Sequence, residues 1–467
     1  MDKKISVYFT NVQSSSSSNP YMIWLSNHLL TYFGIQMNEK VWVRYGSERI
    51  QVICKGKMDE TCFTIQFPEE IRFAHHFPES GQYHTLTYDQ LSKELRIGPI
   101  IAVITEKIEH MEKPFGNITG FSKEIASLCR DHLVTFYLFS LEDVLPDCIY
   151  GYTIEDGKLT QKAFPYPDII HNRISTRSVE RSETCARFFE HCQEWGIPYF
   201  NDHFITKWAV FRILVECSAF AAYLPETHKE MNEETLKKLM ARHTSLYLKP
   251  NNGREGKGII RINKIEDGKF QLESSSKIDP PIPLLSTEGV WKFIKNFVPL
   301  EDYITQQGIP LITHSNGNVD FRILCNRNEK GDWCVTSSIA RVSDTHSIVT
   351  NMAYGGQAYP LSDMLLNHFE KPKAYQIKAL LYELALETSR SINMFADGIF
   401  GEFGIDFGID LKGHPWILEV NTKPSKQYLS AQKQPDIRPS AQGIFLFANY
   451  LYTTFKTNEL RKEYDHA

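Results

Sequence analysis

No window of about eighteen apolar residues occurs in this sequence, so it offers no candidate membrane-spanning helix. The amino-terminal stretch MDKKISVYFTNVQSSSSSNP lacks the apolar centre of a signal peptide, since residues 5–9 reach only strand length. A protein made in the cytoplasm is expected, with another route needed for any exported location. The nine cysteines form no Cys-x-x-Cys pair, and none stands at zinc spacing from a histidine. Their scatter and odd number suit reduced thiols better than a disulfide framework. A Gly-x-Gly-x-x-Gly turn is missing, which argues against NAD-type binding, and no Walker A Gly-Lys-Ser/Thr occurs. Nor is there a basic excess: the net charge of -5 argues against a protein built to coat nucleic acid.

What is present is a globular composition, 42% hydrophobic and 23% charged, over 467 residues. That length exceeds one ordinary core and predicts two to four packed units. Residues 1–95 read as strand-rich, with residues 41–45 and 49–54 flanking a Gly46-Ser47 turn. His75-His76 is a poor chelate, because adjacent strand residues face opposite ways, and it reads as a surface loop. From residue 96 to 200 strands alternate with helices, around an Asp156-Gly157 hairpin signal, which predicts a small parallel α/β unit. Asn172 and Arg173 end one of its strands, where open α/β sheets hold ligands; a strand-end cap and a surface cation explain them equally well.

Residues 201–467 carry the chemistry. Thr206 reads as the cap of a helix beginning at Lys207. Lys249 closes a strand before the loop Pro-Asn-Asn-Gly-Arg-Glu-Gly-Lys-Gly, in which Gly253, Gly256 and Gly258 would let backbone N–H groups approach phosphate closely. A simple turn would look the same. The stretch 401–425 reads as a hairpin turning at Lys412-Gly413, with Asp406 opposite Glu419 and Asn421. Two carboxylates and an amide oxygen suit Mg2+, although a solvated hairpin edge would carry similar residues. Residues 442–455 are predicted as a helix packed on the core.

The ordered set resembles the ATP-grasp ligases over about residues 201–467. The resemblance implies an α/β (α+β grasp) fold, preceded by a small α/β pre-grasp domain (96–200) and the strand-rich segment (1–95). It implies ATP and Mg2+ as cofactors. Lys207 and Lys249 would hold phosphates, and the loop bearing Gly253, Gly256 and Gly258 would close over them. Gln306-Gln307-Gly308-Ile309 would be the hinge whose backbone reads adenine, and Arg322 and Asn351 would join the nucleotide site. Arg341 would meet the γ-phosphate and, with Lys249, bear the developing charge. Asp406, Glu419 and Asn421 would be the metal triad. Gly98-Pro99-Ile100-Ile101, the run PDIIHNRI and Thr206-Lys207-Trp208 extend a closer resemblance, to the YheC/YheD type of endospore coat-associated proteins, over nearly the whole chain. The implied function is an ATP- and Mg-dependent carboxylate–amine or thiol ligase working through an acyl phosphate. The alternative is a spore-coat structural protein that keeps nucleotide binding without turnover. The implied partners are a small-molecule or peptide carboxylate, an amine acceptor and spore-coat proteins, with no nucleic acid and no membrane. The implied location is the cytoplasm and the endospore coat.

Overall fold

The computed structural model describes residues 3–12, 21–57, 62–108, 114–116, 118–155, 157–253, 256–265, 268–275, 282–344, 357–426 and 435–465. The chain forms two compact units, one of residues 1–202, 328–331 and 435–467, the other of residues 203–327 and 332–434.

In the first unit, β1 (Lys3–Val12), β2 (Met22–Ser26), β3 (Lys40–Tyr45), β4 (Glu48–Lys57), β5 (Thr64–Pro68), β6 (Tyr83–Asp89) and β7 (Glu94–Ile97) close into a barrel, ordered β1-β5-β2-β4-β3-β7-β6. Alternation explains the barrel: Val41, Val43 and Tyr45 point inward while Lys40, Trp42 and Arg44 are more exposed. Then β8 (Ile100–Ile104), β9 (Thr135–Phe139), β10 (Ile149–Glu155), β11 (Lys158–Phe164), β12 (Ile169–Asn172) and β13 (Tyr199–Phe200) form a sheet ordered β11-β10-β9-β8-β12-β13. Strands β9, β8, β12 and β13 run parallel, and all of Ile100–Ile104 is buried, as a strand covered on both faces must be. Asp156 lies outside the described residues. One apolar core joins barrel and sheet, from Val41 and Leu95 to Ala102 and Phe139, so no break in packing falls near residue 95.

The last helix, Pro439–Asp465, belongs to this first unit, whereas the sequence reading grouped it with residues 201–467. Its apolar side chains decide the matter. Phe445 packs on His132 with ring centroids 4.7 Å apart, and Phe447 meets Phe200 at 5.2 Å. Arg438, just before the helix, pairs with Glu124 at 2.6 Å.

The second unit has two sheets. β14 (Thr227–His228), β15 (Ser245–Pro250), β16 (Ile260–Lys264), β17 (Phe270–Ser274) and β18 (Tyr303–Gln307) are ordered β14-β18-β15-β16-β17. Leu246 and Leu248 point into a core with the helices Glu233–Arg242 and Thr287–Phe297. Period two therefore turns Tyr247 and Lys249 to the other face. The second sheet contains β19 (Thr313–His314), β20 (Gly317–Arg327), β21 (Trp333–Val342), β22 (Gln357–Pro360), β23 (Glu402–Ile409) and β24 (Pro415–Asn421), ordered β22-β21-β20-β23-β24 with β19 on β20. Helix Lys371–Phe395 shares a core with Phe403, Ile405 and Phe407.

Candidate functional site

Strands β23 and β24 set the centre of the site. Their antiparallel register places Asp406 opposite Glu419 and Gly404 opposite Asn421. The turn is held by Asp410, whose Oδ1 accepts from the N–H groups of Lys412 and His414 at 2.9 Å each. Gly413 there has φ +83°, a conformation that only glycine adopts without strain.

Asp406 is not a solvated edge residue; it is 6% exposed. Arg322 grips it with two hydrogen bonds, Nε to Oδ1 and Nη2 to Oδ2, the second at 2.8 Å. Arg341 Nη2 reaches Oδ1 at 3.0 Å, and Asn421 Nδ2 donates to Oδ2 at 3.4 Å. A carboxylate has about four lone-pair sites, so these contacts fill it. Burial alone would raise the Asp406 pKa, but the two guanidinium groups outweigh it and hold the carboxyl below its ordinary value. Arg341 in turn donates to Asp320 through Nε and Nη2 at 2.6 Å each. Burial works against its charge, and Asp320 and Asp406 more than restore it.

Glu419 is the open carboxylate. Its side chain is 32% exposed, and Oε1 accepts from Lys207 Nζ at 2.7 Å. Lys207 opens the helix Lys207–Val215, which Thr206 caps by accepting from Ala209 N at 3.1 Å. Replacing Thr206 with alanine is expected to lower stability by about 1 kcal/mol, the usual value of such a cap, and a urea titration measures it. An unchanged midpoint would show that Asn251 holds the helix start alone.

Asn251 is a site residue that the sequence reading missed. Its Oδ1 accepts from Trp208 N at 2.9 Å, and its carbonyl accepts from Lys207 N at 3.2 Å. It thus ties the start of the glycine loop to the helix that carries Lys207. Lys207 Nζ also donates to the Gly253 carbonyl at 3.2 Å. The far end of the loop is held by Tyr303, whose hydroxyl donates to the Gly258 carbonyl at 3.0 Å. Gly256 and Gly258 have φ +73° and +72°. The only sequence signal for Asn251 was its place at the start of the glycine loop, because its partners lie more than forty residues away.

Lys249 donates to Gln306 Oε1 at 2.6 Å, and Gln306 Nε2 donates to Thr227 Oγ1 at 3.1 Å. Burial pushes the Lys249 ammonium down to about 8, with Lys207 adding to the shift and Glu419 and Asp406 opposing it. These same charges place Lys249 beside the Glu419–Asp406 pair. Gln307 and Gly308 are stitched into the sheet, Gln307 N donating to Glu226 O and Gly308 N to Ser245 O, both at 2.8 Å. Gly308 therefore has no N–H to offer adenine. It is glycine for want of room, since a Cβ there would lie 2.7 Å from Cβ and Oγ of Ser245. Ile309 lies two residues past the end of β18. Asn351, with Gly355 and Gly356, lies outside the described residues. Asn172 and Arg173 belong to the first unit and are buried there.

Among the described residues no group of three His, Cys, Asp or Glu side chains is arranged to hold a metal ion. The candidate set is two carboxylates and an amide. That suits Mg2+ in kind, because Mg2+ usually takes one or two carboxylates and completes its shell with water and phosphate oxygens.

Residues 196–451 match the model of a family described as YheC/D like ATP-grasp. The endospore coat-associated protein YheD of Bacillus subtilis (strain 168) is 27% identical over 345 residues, 72% of this chain and 75% of the relative. The endospore coat-associated protein YheC of the same organism is 24% identical over 322 residues, 66% of this chain and 85% of the relative. Among solved structures, D-alanine-D-alanine ligase from Coxiella burnetii aligns with a TM-score of 0.44 at 10% identity, covering 79% of this chain and all of that one. The α/β fold class expected from the sequence is that of the matched family.

Proposed function

This chain belongs to the YheC/D like ATP-grasp family, and from that premise we propose that it is an ATP- and Mg2+-dependent ligase joining a carboxylate to an amine or thiol. The observation that carries the reading is Lys249. Its ammonium is held by the neutral Gln306 amide, beside the Lys207–Glu419 pair and the Asp406 that Arg322 and Arg341 hold. A partly desolvated cation of this kind is suited to an anion such as a nucleotide phosphate.

In the proposed reaction a substrate carboxylate oxygen attacks the γ-phosphorus and the bond to the β-phosphate oxygen breaks. ADP departs and an acyl phosphate remains. The amine or thiol then attacks the acyl carbon, phosphate leaves, and the attacking atom gives up its proton. Lys249 and Lys207 neutralise phosphate charge, and Arg341 faces the charge that develops on transfer. Glu419, the open carboxylate, and Asn421 would hold Mg2+, which supplies charge neutralisation at the phosphates when bound, and Asp406 would join them on giving up a contact to Arg322, Arg341 or Asn421. The loop from Gly253 to Gly258, anchored at Lys207 and Tyr303, covers the phosphates and keeps water from the acyl phosphate. The adenine edge is read by Ile309, since the N–H groups of Gln307 and Gly308 are spent on Glu226 and Ser245.

A second reading, a coat protein that binds nucleotide without turnover, draws on the names of the two relatives and on the filled acceptor sites of Asp406. The two part in one experiment. Mg-ATP is titrated into the protein by calorimetry, and ADP is then followed with and without an extract of a spore-forming cell. We expect binding, and ADP release that depends on the extract. Binding with no ADP under any addition supports the structural reading, and absence of binding sinks both.

A further inference from the structure

The hydrogen bond from Lys249 to Gln306 is one end of a buried relay whose other end lies on β14. Thr227 is 6% exposed and Gln306 7%. Lys249 Nζ donates to Gln306 Oε1 at 2.6 Å, and Gln306 Nε2 donates to Thr227 Oγ1 at 3.1 Å. Thr227 Oγ1 in turn donates to the Pro225 carbonyl at 2.9 Å. Strand register brings these side chains together, with Thr227 opposite Gln306 across β14 and β18, and Gln306 opposite Tyr247 across β18 and β15.

What each group can donate fixes the direction of the relay. A carbonyl only accepts, so the single Thr227 proton is spent on Pro225, and the hydroxyl oxygen can only accept from Gln306. The amide nitrogen must therefore face Thr227, and the amide oxygen must face Lys249. Turned over, the amide would set oxygen against oxygen at Thr227 and an N–H against Nζ. The two orientations favour opposite forms of the lysine. An oxygen beside Nζ favours the ammonium, whereas an N–H there favours the neutral amine. Burial is the largest influence on Lys249 and works against its charge, as does Lys207, while Glu419 on β24 and Asp406 on β23 support it. The Tyr247 ring lies 5.7 Å from Nζ.

Strand β14 is held by other contacts. Gln307 N donates to Glu226 O at 2.8 Å, and Glu226 N to Gln307 Oε1 at 3.2 Å. The Glu226 carboxylate pairs with His243 Nε2 at 2.8 Å and Arg242 Nη2 at 2.9 Å. The effect of the Thr227 hydroxyl on Lys249 is thus separable from its effect on the fold.

We propose that Thr227 is a positioning residue, which through the Gln306 amide holds Lys249 as the charged ammonium. Its consequence for nucleotide binding rests on the proposed role of Lys249 at the phosphates; the relay itself is measured without nucleotide.

In the full chain, lysine is labelled with 13C at Cε, the Lys249 signal is identified by its loss in Lys249→Met, and its titration midpoint is read by NMR. Thr227→Val should lower that midpoint by about half a pH unit or more, the worth of part of a hydrogen bond. Thr227→Ser, which keeps the hydroxyl, should restore it. Gln306→Met removes both ends of the relay at similar bulk, and as the second variant it should lower the midpoint too. Mg-ATP affinity at pH 8 should fall about twofold to tenfold in Thr227→Val, the range of one neutral hydrogen bond, with little change for AMP. Circular dichroism checks the fold. A midpoint unmoved in the folded variants, or lowered as far by Thr227→Ser, overturns the proposal. A midpoint that falls in Thr227→Val, in a protein whose wild type binds no Mg-ATP, supports the relay and sinks the ligase reading.

Discussion

Replacing Glu419 with alanine should cut ATP consumption by about a hundredfold or more and leave the fold standing, whereas Asp406→Ala should lose the fold along with the activity. The two carboxylates are cross-strand neighbours, yet their surroundings differ. Glu419 is 32% exposed and its ion pair is with Lys207 alone among the described residues, so its removal should cost no more than about 1 kcal/mol of stability. If Glu419 holds Mg2+ as proposed, its loss would cost several kcal/mol at the transition state, and each 1.36 kcal/mol is about a factor of ten in rate. Asp406 is the counter-ion of two buried guanidinium groups. Stripping it away leaves Arg322 without that counter-ion and Arg341 with Asp320 alone, a defect of about 3–5 kcal/mol. The sign with pH follows from the same contacts. Because the folded Asp406 carboxyl titrates below its unfolded value of about 3.9, its contribution is complete above that pH and drains away as the pH falls further. Urea midpoints from pH 7 down to 3, with ADP release at pH 7, check both halves. An Asp406→Ala protein as stable as wild type would mean that Arg322 and Arg341 find other anions.

The same contrast shows what the sequence can and cannot reveal. The hairpin was legible because alternation and the Lys412-Gly413 turn fix a register, and register puts Asp406 opposite Glu419. The cap at Thr206 was legible because a threonine before an apolar helix has a local partner three residues on. Burial of Asp406 was not legible, since the arginines that cover it arrive from β20 and β21, more than sixty residues earlier. Nothing near Gly308 in sequence shows the Ser245 side chain that leaves no room for a Cβ there. Period and local chemistry survive translation into structure; which surface covers an apolar helix, or a carboxylate, is settled by distant chain.

Lys249→Met should weaken Mg-ATP binding by about 1.5–3 kcal/mol, the range for a hydrogen bond to a charged group, or about tenfold to more than a hundredfold. AMP, which lacks the outer phosphates, should lose much less. Lys237 and Lys238 pair with Glu233 and Glu234 on an exposed helix face, and their substitution should be nearly silent. The pH dependence carries a sharper signature. Burial holds the Lys249 ammonium near 8, below its unfolded value of about 10.4. Between those values the unfolded chain binds more protons, so the stability of the ligand-free protein should rise with pH across about 8 to 10. Phosphate beside the ammonium restores its charge. ATP binding at pH 8 should therefore take up protons, and affinity should fall as the pH climbs above 8. Calorimetry in two buffers of different ionisation enthalpy measures the uptake directly. In Lys249→Met both the uptake and the upward stability slope should vanish. Should ATP and AMP weaken equally in that variant while proton uptake persists, Lys249 supports the sheet, and another group grips the phosphates.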